Sequence, residues 1–396
     1  MRAVRLTCKE WDALSKSRSF SKMHIDKLSA VREGESMTIA WIDYNLYLIR
    51  VILVDNEDPV IECKGKLNKQ IKISKVIHCD GLLLCVLEDD ATKVVVCNPY
   101  WGQTRSIEFR YSHSPHELDR FTYALGYEDK GSRRSYKFLR FIDMYVDYET
   151  KDLFLWYEIY DFDSSTWKTL DVTPHFRIQC YQRSVSLKGS TYWSASQRKT
   201  EEYFPDDHII CFDFTSESFG PSSALPFDVG HDDDVSLSCV REEKLAVLLT
   251  RTNEASQLEF EIWTSTKIEA EKVLWSKFLT VVETEAFFYP LITGVSFLID
   301  EEKKVAMGYS KTFNIVGEDG YLKMFARTGR DINRRVRMCS YVPSLVQPGS
   351  GGQRKHQSDL EKQRYDQNLS RLASIEGKRE EKNEMIRLSY MSFIYP

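Results

Sequence analysis

The stretch VSLKGSTYWSA at residues 185–195 has the pattern of a β-hairpin, because two short strand-like runs flank a Lys-Gly pair. Glycine accepts the left-handed backbone conformation that tight hairpin turns require. Similar strand pairs around a polar turn recur at HCDGLLLCV (78–86), YEDKGSRRSYKFLRF (127–141), VREEKLAVLL (240–249) and IDEEKKVAMG (299–308). One supersecondary unit therefore repeats along the chain.

The turns of these five hairpins are evenly spaced. With Gly81, Gly131, Gly189, Glu243 and Glu302 as markers, the steps are 50, 58, 54 and 59 residues. Each hairpin is followed by a second element, in which an apolar strand meets Asn or Asp and a short loop leads to Trp or Phe. These elements are VCNPYWGQTRSI, EIYDFDSSTWKTL, ICFDFTSESFGPSSALPF, the variant EIWTSTKIEAEKVLWSKF and the degraded FNIVGEDGYLKMF.

A repeat of this length with about four strands predicts a mainly β chain built from kelch-sized propeller blades. A blade is a small twisted sheet that buries its two faces only against its neighbours, so we expect the aromatic residues to lie between blades and the Asp or Asn to set the outer turns. Ring closure would be helped if the strand RVRMCSYVPSLV at 335–346 paired with the strands near 37–54. A β-sandwich of ordinary hairpins is the alternative.

The two ends of the chain differ from this repeat. Residues 2–28 space apolar side chains at intervals near three and four, which predicts two short amphipathic helices. From Met37 the pattern becomes a strand pair, MTIAWIDYNLYLIRVILV. We therefore predict a helical segment at 1–35, a β-domain at 36–347, and a linker with a charged tail at 348–396.

The tail begins with the flexible sequence GSGG and carries a roughly helical stripe of apolar residues. The stripe consists of Leu360, Tyr365, Leu369, Leu372 and Ile375. Isolated helices are marginal in water, so we expect a solvated, partly formed helix or disorder here in preference to a helix docked on the β-domain.

Composition restricts the class of function. The 396 residues include 42% apolar and 13% aromatic residues, enough to fold, and the net charge of −5 has no long single-sign run. Nothing therefore directs the chain to nucleic acid or an anionic membrane, and a protein partner is expected. Nine scattered cysteines in apolar runs, with no signal peptide and no 18-residue apolar window, predict an intracellular protein of the cytoplasm or nucleus.

No pattern of catalytic or cofactor-binding residues emerges. His113 and His116 form the one close histidine pair and lack further zinc ligands, and HDDD at 231–234 is expected to be a solvated acidic turn. No nucleophile signature is present, so we assign no catalytic, cofactor or metal residue and leave a propeller enzyme as a remote alternative. Recognition residues are expected on the loops of one face of the ring, with four polar candidates at 111–120, 143–153, 197–207 and 228–234.

A family resemblance accompanies these patterns. LTCKEWDALSKSRSFSKMHIDK resembles the second half of an F-box, and later motifs resemble, in order, the plant F-box-associated propeller-type family. Those motifs include NPYWGQTRSIE, YALGYED, YEIYDFDSSTWKTLDVTP, CFDFTSESFGP, EIWTSTKIE, IVGEDGY and CSYVPSLVQ. The resemblance covers about Leu6 to Gln347, and the tail lies outside the family's pattern.

The resemblance implies a substrate receptor of an SCF-type ubiquitin ligase. In that family the F-box docks a Skp-family adaptor joined to a cullin scaffold, and the β-domain holds the target protein. A full F-box opens with a Leu-Pro helix, and here Met1 follows that position, so a truncated F-box is expected. The adaptor-binding candidates are Val4, Leu6, Trp11, Leu14 and Phe20. They can equally fold back on the β-domain, which would leave an interaction module uncoupled from the ligase.

Overall fold

A computed structural model describes residues 35–54, 59–67, 71–110, 121–131, 133–147, 152–178, 183–198, 207–253, 255, 257–269, 272–282, 297–309, 313–317, 322–325, 336–349 and 358–394. The predicted N-terminal helical segment, with its five adaptor-binding candidates, lies outside these residues. Within them, no helix combines the length and the apolar character that a membrane crossing requires.

The described strands form six antiparallel sheets, which are the blades of a six-bladed β-propeller. Blade 1 contains β1 (Glu35–Ile42), β2 (Asn45–Ile52), β3 (Val60–Lys66) and β26 (Val336–Ser340), and blade 2 contains β4 (Ile73–Cys79), β5 (Leu82–Leu87), β6 (Lys93–Asn98) and β7 (Gln103–Glu108). Blade 3 contains β8 (Thr122–Asp129), β9 (Arg134–Asp147), β10 (Asp152–Asp161) and β11 (Thr166–Leu170).

The other three blades complete the ring. Blade 4 has six short strands, β12 (Phe176–Arg177), β13 (Val185–Leu187), β14 (Ser190–Gln197), β15 (His208–Asp213), β16 (Ser218–Phe219) and β17 (Ser223–Ala224). Blade 5 contains β18 (Asp234–Val240), β19 (Lys244–Thr252), β20 (Leu258–Ile268) and β21 (Val273–Val282), and blade 6 contains β22 (Phe297–Asp300), β23 (Val305–Tyr309), β24 (Phe313–Gly317) and β25 (Leu322–Phe325). The predicted propeller is confirmed.

The five repeated hairpins are equivalent positions in blades 2 to 6. Each marker residue lies between the innermost strand of its blade and the next strand outward. In blade 2 the turn residues Asp80 and Gly81 have φ values of 50° and 75°, and in blade 4 Lys188 and Gly189 have 51° and 89°. Two consecutive positive φ values are those of the type I′ turn, whose twist matches the strands it joins.

The Asn and Asp residues of the second elements set the outer turns, as predicted. Asn98 Oδ1 accepts hydrogen bonds from the backbone N–H of Tyr100 at 2.8 Å, and Asp161 Oδ1 accepts from Ser164 N–H at 2.7 Å. In blade 4, Asp213 Oδ1 accepts from Thr215 N–H at 2.9 Å. The side chain thus satisfies backbone donors that the turn leaves without strand partners.

The aromatic residues of these elements lie in the hydrophobic cores, also as predicted. Trp167 packs edge-on against Phe138 at a centroid distance of 5.0 Å and against Tyr160 at 5.1 Å. These rings belong to a cluster that includes buried residues of blades 2 and 3, and Phe212 and Phe214 belong to one that spans blades 3 and 4. The cores therefore lie between neighbouring blades, which is why no blade is stable alone.

The two ends of the β-domain close the ring. β26 pairs antiparallel with β1, with Ile39 opposite Cys339, which confirms the predicted closure and explains why six blades show only five repeat markers. Residues 341–349, here called the closing strap, continue onto blade 2. The buried Asn98 Nδ2 donates to the carbonyl oxygens of Ser344 at 3.1 Å and Val346 at 2.6 Å.

The innermost strands run parallel around the ring. Ser184 Oγ donates to Tyr123 O at 3.1 Å and Ser186 Oγ donates to Leu125 O at 2.6 Å, so β13 and β8 advance in the same direction. All hairpin turns between first and second strands, and between third and fourth strands, therefore lie on one side, called the turn face. The links between second and third strands, and those between blades, lie on the opposite side, called the connection face.

The C-terminal helix α1 (Asp359–Ile394) is docked on the propeller, at least over residues 359–378, so the expectation of a solvated helix was wrong. Leu372 is 1% exposed and Ile375 is 8% exposed, and both belong to the core cluster between blades 2 and 3. Tyr365 packs edge-on against Trp156 at 5.7 Å. An apolar groove between blades supplies the burial that an isolated helix lacks.

Polar contacts fix the start of this helix. Glu361 Oε2 accepts hydrogen bonds from Thr169 N–H at 2.9 Å and from Arg110 at 3.3 Å. Thr169 lies in β11 and Arg110 follows β7, so the helix bridges the outer strands of blades 2 and 3 at the connection face. The stripe of apolar residues correctly indicated a helix, and tertiary contacts decided its docking.

Candidate functional site

The four polar stretches that the sequence singled out are bounded by strand ends at the connection face. Stretches 111–120 and 228–234 link consecutive blades, and 143–153 and 197–207 link second and third strands within blades 3 and 4. Alternating strand direction brings links of these two types to the same side of the ring. The described strand ends that bound the four stretches therefore lie on one face, and 111–120 lies wholly outside the described residues.

The turn face is built differently. Its links between first and second strands are two-residue turns in blades 2 and 4, and the closing strap lies along its blade 2 side. Asp80 there accepts hydrogen bonds from Arg134 Nη1 at 2.6 Å and from the Tyr136 hydroxyl, while Ser344 Oγ donates to Asp80 O at 2.7 Å. The carboxylate and the carbonyl oxygen of Asp80 therefore both accept hydrogen bonds from other residues of the same chain.

Between the two faces, a cavity of about 430 Å³ occupies the centre of the ring. Residues of the innermost strands β4, β8, β13, β18 and β26 line it, together with neighbouring residues. Its described charged and titratable lining residues are Lys75, His78, Tyr123, Arg183, Glu242, Arg337 and the thiols of Cys239 and Cys339. Volume and lining are those of a small-ligand pocket.

Three cations gather at the connection-face end of this cavity. Arg183 lies two residues before β13, Arg337 is the second residue of β26, and Lys75 is the third residue of β4. All three strands start at the connection face. Lys75 Nζ donates to Phe121 O at 3.2 Å, and the Arg337 guanidinium stacks over the Trp41 ring at 4.8 Å. Burial, followed by the nearby charge of Arg337, lowers the pKa of Arg183 to about 9.

The turn-face end holds a partly buried carboxyl and a partly buried imidazole instead. His78 closes β4 and Glu242 lies in the turn after β18, and Glu242 Oε1 is 3.3 Å from His78 Nε2. Burial, followed by the charge of Asp80, raises the pKa of Glu242 to about 7, and burial lowers the pKa of His78 to about 4. The environment thus favours the neutral form of both groups.

The backbone at Glu242 is also unusual. Its φ is 57° and that of Arg241 is 50°, in the left-handed region that residues other than glycine seldom occupy. Glu242 Oε1 is buried and receives no hydrogen bond from the described residues. Gly81 N–H donates at 3.2 Å to the single lone pair of His78 Nε2, so this nitrogen is an acceptor and offers no proton to Glu242. The buried Oε1 atom is therefore accommodated best when Glu242 is protonated and neutral.

The two thiols that line this central cavity, here also called the central channel, are not activated as nucleophiles. Burial raises the pKa of Cys239 and of Cys339 to about 12. A nucleophilic cysteine requires the thiolate, so these two side chains are inert at neutral pH. Within the described part of the chain, no three His, Cys, Asp or Glu residues are arranged to hold a metal ion.

The sequence-predicted residues fall into two groups. The adaptor-binding candidates Val4, Leu6, Trp11, Leu14 and Phe20, and likewise the pair His113 and His116, lie outside the described residues. The acidic stretch 231–234 forms an exposed turn, in which Asp233 Oδ2 accepts from Gly230 N–H at 2.7 Å and Asp232 is fully exposed.

Sequence reasoning missed the channel residues because nothing links them along the chain. Arg183 and Arg337 are 154 positions apart and meet only across the closed ring. The sequence did contain one signal. Each cation lies near the start of an apolar strand, where the alternation of side chains predicts an apolar core residue instead. A polar residue at the start of an innermost strand marks the channel rather than the space between blades.

Comparisons with known proteins agree with this architecture. Residues 37–348 match the family model described as the F-box associated beta propeller domain. The chain is 52% identical over 399 residues to "F-box protein At2g38590" of Arabidopsis thaliana, an alignment that covers 95% of this chain and 93% of that protein. It is 50% identical over 403 residues to "F-box/kelch-repeat protein At4g33290" of the same species, covering 95% and 92%.

Among solved structures, the one titled "Structure of YjhT" superposes with a TM-score of 0.40 at 10% identity, over 64% of this chain and 84% of that one. A likeness of that size carries no argument about function, and none is drawn from it.

Proposed function

Since this chain belongs to the family of F-box-associated β-propeller proteins, we propose that it is the substrate-recognition subunit of an SCF-type E3 ubiquitin ligase. Its β-domain binds a target protein, residues near 2–28 bind a Skp-family adaptor joined to a cullin scaffold, and other subunits carry out the ligase chemistry. The chain itself acts as a binding protein without catalysis, in the cytoplasm or the nucleus.

The division between the two faces of the propeller supports a target-binding role. The strand ends that bound the polar stretches predicted for recognition lie at the connection face. On the turn face, the first and second strands of blades 2 and 4 are joined by two-residue turns, and the closing strap makes contacts within the chain. Rigid sheets that carry loops of varied length on one side are a common arrangement for recognition. We therefore assign the target to the connection face.

A matched pair of charge reversals tests which face binds. Asp228→Lys with Asp232→Lys alters two exposed carboxylates of the connection face, and Glu243→Lys with Glu302→Lys alters two exposed carboxylates of the turn face. Each double variant changes the net charge by the same amount. We expect cross-linking and quantitative mass spectrometry to show loss of captured proteins with the first variant and retention with the second.

The reverse pattern would place the target on the turn face and overturn this assignment. Equal retention by both variants would show that these carboxylates lie outside the interface. Thermal denaturation of both variants provides the folding control, since surface substitutions of this kind change the free energy of unfolding by about 0.5 kcal/mol or less.

The adaptor half of the proposal depends on the apolar residues Val4, Leu6, Trp11, Leu14 and Phe20. Purified chain is mixed with the adaptor and cullin, and the retained fraction is measured. We expect retention, and we expect Trp11→Glu to abolish it, because a charge in the centre of a buried apolar contact typically costs several kcal/mol. Leu360→Glu is the matched control, since Leu360 is a 59% exposed apolar residue of the tail.

If the unaltered chain does not retain the adaptor, the proposal that it is a ligase subunit is wrong. Target capture that persists in that case would identify the chain as an interaction module that acts without the ligase. A Trp11→Glu variant that unfolds together with the β-domain would show that the N-terminal segment packs on the propeller.

A further inference from the structure

We propose that the connection-face end of the central channel binds a phosphate monoester group, held by Arg183 and Arg337. This site goes beyond the ligase assignment and does not require adaptor binding. The chemistry is shared by two sources, a phosphorylated side chain of a bound protein and a free small phosphate compound.

The first support is the state of Arg183. It is partly exposed in the cavity, and neither a hydrogen bond nor an ion pair joins it to another described residue. A guanidinium that has lost much of its contact with solvent is normally paired, because desolvation of an unpaired charge is costly. The nearby positive charge of Arg337 increases that cost, and an anion between the two would relieve it.

The second support is the arrangement of the other cations. Arg337 is oriented by its stacking on Trp41, and Lys75 is oriented by its bond to Phe121 O, so both long side chains are held at the same end of the cavity. Among the described lining residues, Glu242 is the one carboxyl, and it lies at the opposite end with a pKa near 7. Within the described lining, Arg183 therefore has no carboxylate partner.

The form of the anion follows from these donors. Two guanidinium groups present planar sets of N–H donors that suit the oxygens of a phosphate, often through paired hydrogen bonds. A dianion also matches the charge better than a single carboxylate. The cavity of about 430 Å³ admits such a group together with the atoms that carry it.

Calorimetric titration of the purified full chain tests the site at constant ionic strength set with chloride. One arm uses inorganic phosphate, and a second uses a pool of phosphoserine peptides together with the same pool unphosphorylated. We expect phosphate to bind, and we expect Arg183→Gln to weaken it by roughly 10- to 100-fold, as loss of a charged hydrogen-bond partner typically does. Arg133→Gln, at an exposed arginine of the turn face, is the matched control and should leave affinity unchanged.

The two arms identify the source. Phosphopeptides that bind at least tenfold more tightly than inorganic phosphate and than their unphosphorylated forms would assign the site to a protein side chain. Equal affinity for phosphate and phosphopeptides would assign it to a free phosphate compound. Absence of binding in both arms, or equal affinity of the Arg183→Gln variant and the unaltered chain, would overturn the proposal.

Folding does not confound this test. Removal of an unpaired charge beside another cation is expected to leave the ligand-free protein at least as stable, and Arg183→Lys keeps the charge while removing the planar donor set. We expect the lysine variant to bind phosphate with an affinity between those of the unaltered chain and Arg183→Gln. A lysine variant as weak as the glutamine variant would still support phosphate recognition by the planar donor set.

Discussion

The two faces of the propeller come from the same strands and serve opposite purposes. On the turn face, short turns, capping side chains and the closing strap satisfy polar groups inside the molecule. On the connection face, the links are longer and more polar, and the channel ends in cations, of which Arg183 has no described counter-charge. Contacts on the turn face thus close the ring, whereas on the connection face Arg183 can still bind an external anion.

The channel shows the same contrast within one cavity. At its turn-face end, burial keeps His78 neutral at neutral pH and raises the pKa of Glu242 to about 7, so this end carries no positive charge from the imidazole and only part of a negative charge from the carboxyl. At its connection-face end, Arg183 and Arg337 keep their charges at neutral pH and repel each other. Charge that an external group can neutralise is therefore confined to one end.

Asn98→Asp should give the largest effect, because it breaks the closing strap while it keeps the turn. The new carboxylate preserves the Oδ1 acceptor for Tyr100 N–H but faces the carbonyl oxygens of Ser344 and Val346 without a donor. A buried uncompensated charge typically costs about 3 to 5 kcal/mol. Chemical denaturation should show this loss of unfolding free energy.

Asp213→Asn is the control for that substitution. Asp213 occupies the equivalent turn of blade 4, where its described partners are turn donors such as Thr215 N–H. We expect a change of about 1 kcal/mol or less, since the acceptor oxygen remains. Equal losses in the two variants would show that the strap contributes nothing at Asn98.

Glu242→Gln should produce a smaller, pH-dependent gain on the turn-face side of the channel. Because the pKa of Glu242 is raised in the folded protein, its stabilising contribution is complete below about pH 4.5 and is lost as the pH rises through about 7. Glutamine stays neutral throughout. We expect the variant to be more stable than the unaltered chain by about 3 kcal/mol at pH 8 and nearly equal to it at pH 4.5.

Unfolding curves at several pH values check this, with Glu243→Gln in the same turn as the exposed control. A gain that is independent of pH would show that relief of turn strain, rather than ionisation of Glu242, is responsible.

Glu361→Gln should have the smallest effect and tests the helix docked at the connection face. The substitution removes the charge that Arg110 and Thr169 N–H contact while it keeps the shape. We expect local opening of residues 359–378 to become easier by about 1 to 2 kcal/mol, seen as faster amide hydrogen exchange there and unchanged exchange in blades 4 to 6.

Asp366→Asn, on the exposed side of the same helix, is the control and should leave the exchange rates unaltered. Faster exchange throughout the propeller would mean that the helix is part of the cooperative core rather than a separately opening element.

Much of the fold was predictable from the chain alone. The hairpin turns at Gly81, Gly131 and Gly189 are local features, because turn conformation and strand alternation depend on neighbouring residues. The Asn and Asp caps were predictable for the same reason, and the closure by β26 followed from the need to cover the sheet of blade 1. The number of blades was not, since one blade combines strands from both ends of the domain.

The site was less accessible to such reasoning. The sequence pattern identified polar stretches between strands. The alternation of strand direction then showed that the strand ends bounding these stretches lie on one face. The stripe at Leu372 and Ile375 predicted a helix, but its docking depends on a groove that exists only between assembled blades.

What the amino-acid sequence determined by itself is therefore the repeat, its turns and its family, since these rest on short-range patterns and on similarity along the chain. The tertiary structure decided the channel, where Arg183 meets Arg337 and His78 meets Glu242. These pairs are 154 and 164 positions apart, and their desolvation and mutual charge exist only after the innermost strands close the ring.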